Sequence, residues 1–337
     1  MANMLRLLFC FGLLLSFVVL AGKSYAAGPL LIAYGGHNET MVPLWVGIEK
    51  GIFRKYGVDP RVLQTRSGPI MMSTLASGGV PLVWAAPSSA LNSSVSGFKL
   101  TCFAAGNNRI PRELIVRKGI DSLEDLPGKS FGVQSIGGGF WLQTMIVLDR
   151  LGVDPDKNGL KMRVIGDEPT ILQALLASNI DAAVITFASA AVDKRAGLRS
   201  LANTAELKVP YQGTGICTRS DRIVNSPDLM LRLTKGMVEA VALIHEPRNK
   251  REVMAVLKKN LRLATDEDAE RSYNSLRLVS TLDIAPDPEA WRNIQKYVSR
   301  VTPKVAQLDI NQIINVSFVR NLEESGFLPE ARKKLGL

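Results

Sequence analysis

Short apolar runs alternate with longer segments of helical periodicity along the first two thirds of the chain. Each run has the length of a buried strand, and each intervening segment is punctuated by glycine or proline where a helix would start or stop. Such alternation is typical of α/β folds built on parallel sheets. The predicted strands are LLIAY (30–34), RVLQ (61–64), VPLVWA (80–85), KLTCFAA (99–105), FGVQS (131–135), KMRVIG (161–166) and DAAVIT (181–186).

Two glycines divide the stretch LWVGIEKGIFRKYGVDPRV (44–62) into two short helical pieces. Pro43 suits the first turn of the first piece, which Gly51 ends. The second piece adds one further turn and ends at Gly57. Both glycines are expected to adopt the left-handed conformation that terminates a helix without a steric penalty. The stretch therefore reads as the helical return between the first two strands.

The pattern divides into two α/β sets followed by a helical tail. The second set begins near Lys118, and beyond residue 220 the chain is predicted to be mostly helical, with prolines as punctuation. A chain of 337 residues, 46% of them hydrophobic, is long enough for two domains of ordinary size.

The N-terminal segment resembles a secretory signal peptide. A short basic start is followed by an apolar run from Leu7 to Ala21, and small residues at Ser24 and Ala26 suit cleavage after Ala26. The competing interpretation is a membrane anchor, but the run is shorter than the roughly 18–20 residues that span a bilayer. We therefore expect residues 1–26 to be a signal peptide and the protein to be periplasmic.

The chain is basic, with a formal net charge of +10, of which Arg6 and Lys23 lie in the expected signal peptide. Its lysines and arginines are scattered or in short runs, with no basic patch interleaved with stacking aromatic residues. This pattern favours a solvated basic surface, and no nucleic-acid partner is expected.

Two cysteines follow the expected cleavage site, Cys102 and Cys217. In an oxidising compartment they could form a disulfide that closes a long loop. Both also lie in apolar, strand-like runs, where a free cysteine behaves as a small hydrophobic residue. Sequence alone leaves both alternatives open.

Each candidate enzyme or cofactor motif in the sequence lacks a residue that the motif requires. The GKS tripeptides at 22–24 and 128–130 lack the upstream glycine of a phosphate loop, and Leu142 stands where a dinucleotide fingerprint would need its third glycine. Only two histidines exist, His37 and His245, without metal-ligand spacing. The sequence therefore predicts no catalytic residue, no metal site and no cofactor.

Five runs together resemble exported solute-binding proteins of the nitrate, taurine and aliphatic-sulfonate class, which includes binders of thiamine-pyrimidine precursors. The likeness is specific over roughly residues 29–220 and loose in the helical tail. The runs are PLWVGIEKGIFRKYGVDPRV, LVWAAPSSAL, IDSLEDLPGKSFGV, LDRLGVDPDK and DEPTILQALLASNIDAAV.

The resemblance implies a bilobal α/β periplasmic-binding-protein fold of type II, with a ligand cleft between two lobes. It implies a monomer that delivers a small molecule to an inner-membrane ABC permease. Lobe 1 would comprise residues 27–115 and 218–337, and lobe 2 residues 116–217. The enzyme alternative is a thiamine-pyrimidine synthase on the same fold, although those enzymes carry a cysteine-rich cluster that this chain lacks and are not exported.

Ligand-binding residues are expected after the carboxyl ends of the strands, where open parallel sheets form their crevice. For each candidate serine the competing role is helix capping, and for each glycine an ordinary turn. The candidates are Gly36, His37, Asn38, Ser67, Gly68, Trp84, Pro87, Ser88, Ser89, Ser135, Gly137, Gly138, Gly139, Phe140, Thr186 and Phe187.

Two hypotheses for the ligand remain open. The N–H groups of the glycine run 137–139 and of Ser88 and Ser89 would lie at helix N-termini, which attract an anionic group such as a carboxylate or sulfonate. A neutral heteroaromatic ligand stacked on Trp84 or Phe140 is the alternative.

Overall fold

The computed structural model describes residues 29–110, 112–186, 189–190, 197–204, 207 and 211–336. The expected signal peptide, residues 1–26, and the candidate Phe187 lie outside these ranges. Within them, no helix is long and apolar enough to cross a membrane.

Two five-stranded sheets form the framework. The first has the order β2-β1-β3-β10-β4 and the second the order β7-β6-β8-β5-β9. The strands of the first sheet are β1 (Leu30–Tyr34), β2 (Pro60–Gln64), β3 (Leu82–Ala85), β4 (Leu100–Ala105) and β10 (Gly215–Arg219). Those of the second are β5 (Arg112–Val116), β6 (Ser130–Val133), β7 (Lys161–Val164), β8 (Ala182–Thr186) and β9 (Arg199–Asn203).

Parallel pairing is confirmed for β1 with β2 and β3, and for β6 with β7 and β8. The runs RELIVRK (112–118) and GICTRS (215–220), which bracket the second α/β set and are expected to be the strands by which the chain crosses between the lobes, contain β5 and β10. Strand β10 is antiparallel to β3 and β4, and β5 is antiparallel to β8 and β9. Each sheet is therefore mixed. The chain enters the second sheet through β5 and returns to the first through β10, and each of these strands runs antiparallel to its neighbours.

The expected lobe boundaries at residues 115 and 217 both fall inside crossing strands. All of β5 pairs with the second sheet, and all of β10 pairs with the first. A strand pairs as one ladder, so the crossings lie between β4 and β5 and between β9 and β10. The assignment of the remaining residues to lobes stays a prediction.

Helices cover both sheets, and the part of the chain that the structure describes includes five short 3-10 turns with the bounds given below. Gly51 and Gly57 both have φ of 66°, so the predicted left-handed helix ends are confirmed. The helices are α1 (Val42–Glu49), α2 (Ile52–Lys55), α3 (Gly68–Ala76), α4 (Pro87–Val95), α5 (Gly139–Arg150), α6 (Glu168–Leu176), α7 (Ser220–Asn225), α8 (Pro227–His245), α9 (Lys250–Leu261), α10 (Asp266–Val279), α11 (Pro288–Val298), α12 (Ser317–Glu324) and α13 (Phe327–Lys334). The 3-10 turns are Glu39–Met41, Leu123–Asp125, Pro247–Asn249, Pro303–Gln307 and Ile310–Gln312.

Helix α11 of the C-terminal region connects the two halves of the molecule. It packs against α4, which follows the first sheet, and against α5, which follows the second. The Tyr297 hydroxyl donates to Oδ2 of Asp149 in α5 at 2.7 Å, and Nε1 of Trp291 donates to Oε1 of Gln212 in a crossing segment at 2.9 Å. The tail is thus part of the contact between the two halves.

Cys102 and Cys217 form a disulfide, which resolves the alternative that the sequence left open. They face each other across the antiparallel pair β4 and β10. The bond spans 115 residues of sequence, a loop that contains the whole second sheet. It therefore joins the two chain segments from which the crossings to the second sheet depart.

Candidate functional site

A cavity of about 770 Å³ lies between the two sheets. Its walls come from the loops that follow β1, β3, β6 and β8, from the N-termini of α3, α5 and α6, and from the C-terminal end of α9. The residues that define it are Gly35, Gly36, His37, Asn38, Thr40, Gln64, Gly68, Met71, Trp84, Ala86, Ser89, Arg112, Gln134, Gly139, Phe140, Gln143, Asp167, Glu168, Pro169, Leu172, Thr186, Ser189, Thr214 and the segment 259–264. This surface is called the cleft below.

The structure brings nine of the sequence-predicted site residues together in the cleft, which is the outcome expected of strand ends that share a sheet edge. Six others lie beside it without lining it, and Phe187 falls outside the described residues. Those in the cleft are Gly36, His37, Asn38, Gly68, Trp84, Ser89, Gly139, Phe140 and Thr186. Those beside it are Ser67, Pro87, Ser88, Ser135, Gly137 and Gly138. The ligand-binding role of each remains a prediction.

Two of these side chains, Asn38 and His37, already form hydrogen bonds within the protein. Oδ1 of Asn38 accepts from the backbone N–H of Thr40 at 3.1 Å and so caps the 3-10 turn Glu39–Met41. Both ring nitrogens of His37 have partners, the Tyr34 hydroxyl and the Asn260 carbonyl, each at 2.9 Å. His37 therefore ties the first strand to the end of α9.

The glycine run before α5 is needed for close approach of the two halves. A Cβ on Gly139 would lie 2.8 Å from Cβ of Ala86, at the start of α4. Gly137 has φ of 75°, and its carbonyl accepts from Nδ2 of Asn92 at 3.0 Å. The run thus has a packing function in addition to any contact with a ligand.

Trp84 and Phe140 offer little open ring surface for stacking. Trp84 is 2% exposed, and the six-membered part of its indole lies against Gly106. The guanidinium of Arg112 covers one face of Phe140, 4.2 Å from the ring centroid. Stacking of a heteroaromatic ligand on either ring stays a hypothesis.

Arg112 and Glu168 form a buried ion pair in the cleft wall that the sequence reasoning missed. Their side chains are 4% and 7% exposed, and Nη1 of Arg112 lies 3.3 Å from Oε2 of Glu168. Oε1 of Glu168 accepts from the N–H of Thr186 at 2.9 Å, its hydroxyl at 2.6 Å and the Ser189 hydroxyl at 2.8 Å. Oε1 of the carboxylate therefore has three protein donors, and Oε2 has one, Arg112.

Further hydrogen bonds within the protein fix the Arg112 guanidinium. Nη1 donates to the carbonyl of Val184 at 3.3 Å, and Nε donates to the side-chain oxygen of Gln143. The amide of Gln143 donates in turn to the Tyr211 hydroxyl. Burial raises the pKa of Tyr211 to about 12, so this hydroxyl stays protonated at neutral pH. Arg112 is fixed in one orientation by this network.

Two residues that line the cleft each carry a buried side-chain atom that has no hydrogen-bond partner among the described residues and does not face the cavity: Nε1 of Trp84 and Oγ1 of Thr214. Leaving a buried donor unsatisfied costs about 1–3 kcal/mol, so such groups call for an explanation. Both residues lie at the end of the β3–β10 pair that faces the second sheet. Trp84 is paired with Ile216, and Thr214 immediately precedes β10.

Gln134 bridges the two halves across the cleft. It follows β6 of the second sheet, and its Nε2 donates to the carbonyls of Gly35 at 3.1 Å and Arg66 at 3.2 Å. Those carbonyls follow β1 and β2 of the first sheet. The described conformation is therefore one in which the two halves are in direct polar contact beside the cavity.

The missed residues come from several elements: Arg112 and Thr214 belong to or adjoin the antiparallel strands β5 and β10, the segment 259–264 belongs to the tail, and Glu168 lies in α6. Arg112 opens β5 and pairs with Thr186, at the carboxyl end of β8. Because β5 and β10 run in the opposite direction, their beginnings lie at the edge where the other strands end. A charged residue at the start of the wholly buried strand RELIV was the available signal for Arg112. No metal-binding cluster of three or more candidate ligands exists in the described part of the chain.

Comparison with known proteins gives consistent matches. The family model described as NMT1/THI5 like matches residues 38–249. A protein named as a binding protein from Brucella abortus is 29% identical over 143 residues, which is 42% of this chain and 43% of that protein. The sequence match thus spans less than half of the length of that relative.

Solved structures resemble the chain over most of its length. The periplasmic aliphatic sulphonate binding protein from Escherichia coli has a TM-score of 0.68 at 17% identity, covering 85% of this chain and 92% of that one. The periplasmic nitrate-binding protein from Synechocystis has a TM-score of 0.72 at 15% identity, covering 88% and 89%. The chain therefore has the two-sheet periplasmic-binding-protein fold that was expected.

Proposed function

This chain belongs to the NMT1/THI5-like family, and we propose that it is the periplasmic substrate-binding component of an ABC importer. It captures one small solute in the cleft between its two lobes and releases it unchanged to an inner-membrane permease. The observation that carries the proposal is the cavity of about 770 Å³ between two sheets, which has the size of a small-molecule site.

Sequence and structural features typical of exported proteins support this role. The sequence of the first 26 residues has the features of a signal peptide cleaved after Ala26, and the mature protein is a monomer in the periplasm. The disulfide between Cys102 and Cys217 suits an oxidising compartment. The resemblance to sulphonate- and nitrate-binding proteins suggests a small anionic solute of the sulfonate, carboxylate or nitrate kind, with a heteroaromatic solute as the alternative.

The chemistry of the cleft supports binding over catalysis. Glu168, its buried carboxylate, is occupied by four hydrogen bonds, and His37 has partners on both ring nitrogens. Neither group is placed as a poised acid, base or nucleophile. The protein binds without a cofactor and without covalent chemistry.

A ligand screen tests the proposal. The chain without residues 1–26 is purified, unfolded in guanidinium and refolded to remove carried-over solute, then heated with sulfonates, carboxylates, nitrate and pyrimidines. A cleft ligand raises the melting temperature because it binds only the folded state. Mass spectrometry should recover that ligand intact. Its conversion would instead favour an enzyme resembling thiamine-pyrimidine synthases.

A further inference from the structure

Helix α9 ends at a residue with unfavourable backbone geometry in the wall of the cleft. Arg262 follows the helix with φ of 54° and ψ of 40°, and it belongs to the segment 259–264 that lines the cleft. This left-handed conformation is unfavourable for a residue with a side chain, because Cβ approaches the following carbonyl oxygen. In the described part of the chain, the other residues with positive φ are glycines, apart from Ser178.

Local hydrogen bonds explain the turn at the end of α9 but not the arginine. The N–H groups of Arg262 and Leu263 both donate to the carbonyl of Lys258, and Leu263 is buried in the apolar core of the first half. Glycine would form the same turn without the steric penalty. Arg262 therefore lowers the stability of the fold at this position, and strained residues of this kind cluster at ligand sites.

The side chain of Arg262 is exposed and lacks a hydrogen-bond, ion-pair or ring partner among the described residues. Its neighbours along the segment are tied to the first half. Nζ of Lys259 lies 3.0 Å from Oε2 of Glu49, and Nδ2 of Asn260 donates to Oε1 of Glu49 at 2.8 Å. The fold therefore holds these two side chains and leaves the guanidinium of Arg262 available to an occupant of the cleft.

The backbone that carries Arg262 is fixed to the first sheet. The carbonyl of Asn260 accepts from Nε2 of His37 at 2.9 Å, and Nδ1 of His37 lies 2.9 Å from the Tyr34 hydroxyl at the end of β1. Binding therefore has to order only the arginine side chain, which keeps the entropic cost of the contact small.

We propose that Arg262 is a solute-contacting residue that determines specificity, and that its guanidinium closes on the solute from the tail side of the cleft. This inference rests on the proposed function and adds a residue from a part of the chain that the rule on strand ends does not reach. A guanidinium presents a planar set of donors to acceptor oxygens and a flat face to an aromatic ring. Arg262 therefore serves the recognition of either kind of solute considered above.

Substitutions that keep the left-handed turn test this role. Arg262→Gly removes both the strain and the guanidinium, and Arg262→Asn removes the guanidinium while keeping a side chain that tolerates this conformation. Arg262→Gly should raise the melting temperature of the ligand-free protein by about 2 °C. Both variants should bind about tenfold more weakly, the effect of losing a hydrogen bond to a charged group.

The affinity is measured by calorimetry with four probes: butanesulfonate, benzoate, nitrate and cytosine. Native mass spectrometry of the protein as first purified gives the same comparison without a chosen probe, because it counts the fraction of molecules that carry a solute. That fraction should fall in both variants.

Ser178→Gly is the matched control. Ser178 has φ of 58° after the end of α6 and does not line the cleft. This variant should gain melting temperature as Arg262→Gly does, and its affinity for each probe should equal that of the wild type. A gain in stability together with a loss of affinity is a result that a purely structural role of Arg262 would not produce.

Chemical labelling tests the contact itself. Phenylglyoxal modifies exposed arginines, and peptide mapping reports the rate at each of them. A bound probe should slow the labelling of Arg262. It should leave unchanged the labelling of Arg61, an exposed residue of β2 outside the cleft.

Failure of this inference is distinguishable from failure of the proposed function. Wild-type affinity in both variants of Arg262, or equal labelling of Arg262 with and without a bound probe, would overturn the role of Arg262 and leave solute binding in place. A lower melting temperature in Arg262→Gly would also overturn it, because the side chain would then stabilise the fold. Absence of binding by every probe, with no solute detected in the protein as first purified, would overturn both the inference and the proposed function.

Discussion

Replacing Glu168 with Gln is expected to destabilise the fold while strengthening the binding of acids. The carboxylate lies between Arg112 on one side and Thr186 and Ser189 on the other. A glutamine of nearly the same size can keep its oxygen toward Thr186 and Ser189. Its NH₂ group then faces Nη1 of Arg112, so a donor meets a donor and the guanidinium loses its counter-charge.

The size of the effect follows from burial. The two side chains are only 4% and 7% exposed, so water cannot replace the lost partner. Removing one member of a buried ion pair costs about 3–5 kcal/mol, because the other charge stays buried without compensation. The same loss leaves Arg112 with a full positive charge toward the cleft, so the affinity for a carboxylate or sulfonate should rise as stability falls.

Guanidinium unfolding followed by circular dichroism provides the assay, with a double-mutant cycle of Glu168→Gln, Arg112→Gln and both together. The double variant should be less destabilised than the sum of the single variants, since it leaves no uncompensated buried charge. A Glu168→Gln protein within about 0.5 kcal/mol of the wild type would refute the reasoning, because that is the effect of an ordinary surface substitution.

Three further predictions concern other parts of the fold. Replacing Cys102 and Cys217 with alanine should lower the free energy of unfolding by about 5 kcal/mol, which is the chain-entropy value for a separation of 115 residues. A denaturation midpoint equal to that of the oxidised wild type would contradict this prediction. Burial lowers the pKa of His245 in the folded state, so the unfolded chain binds more protons below about pH 6.5 and the melting temperature should fall as the pH drops through that value. His245→Asn should remove this pH dependence, and an identical profile in the variant would show that another group causes it. Gln134→Ala removes the polar bridge across the cleft and should increase the radius of gyration in small-angle scattering. The control Gln295→Ala loses two hydrogen bonds to carbonyls inside the C-terminal region and should leave the radius of gyration unchanged. Equal radii for the two variants would count against the bridge.

Local features of the fold were predictable because they depend on neighbours in sequence. Gly51 and Gly57 end helices since a left-handed residue is required there, and the apolar runs become strands at nearly the expected positions. Strand direction was not predictable in this way. Whether β5 and β10 run with or against their neighbours depends on which strands they meet after 65 residues or more of intervening chain, and no local pattern encodes that choice.

The candidate site shows the same division. Rules about the carboxyl ends of parallel strands identified Thr186 and Trp84, but they miss a residue at the start of an antiparallel strand. Arg112 lies opposite Thr186 for that reason, and Thr214 lies beside the start of β10. The tail segment 259–264 lines the cleft through tertiary folding alone, which the helical periodicity of α9 could not reveal.

A crystal structure with the tightest-binding solute of the screen tests the central claim most directly. The account predicts one intact molecule in the cavity between the two sheets, in contact with residues of both halves. An occupant bound elsewhere on the protein, or one found chemically converted in the cleft, would contradict it.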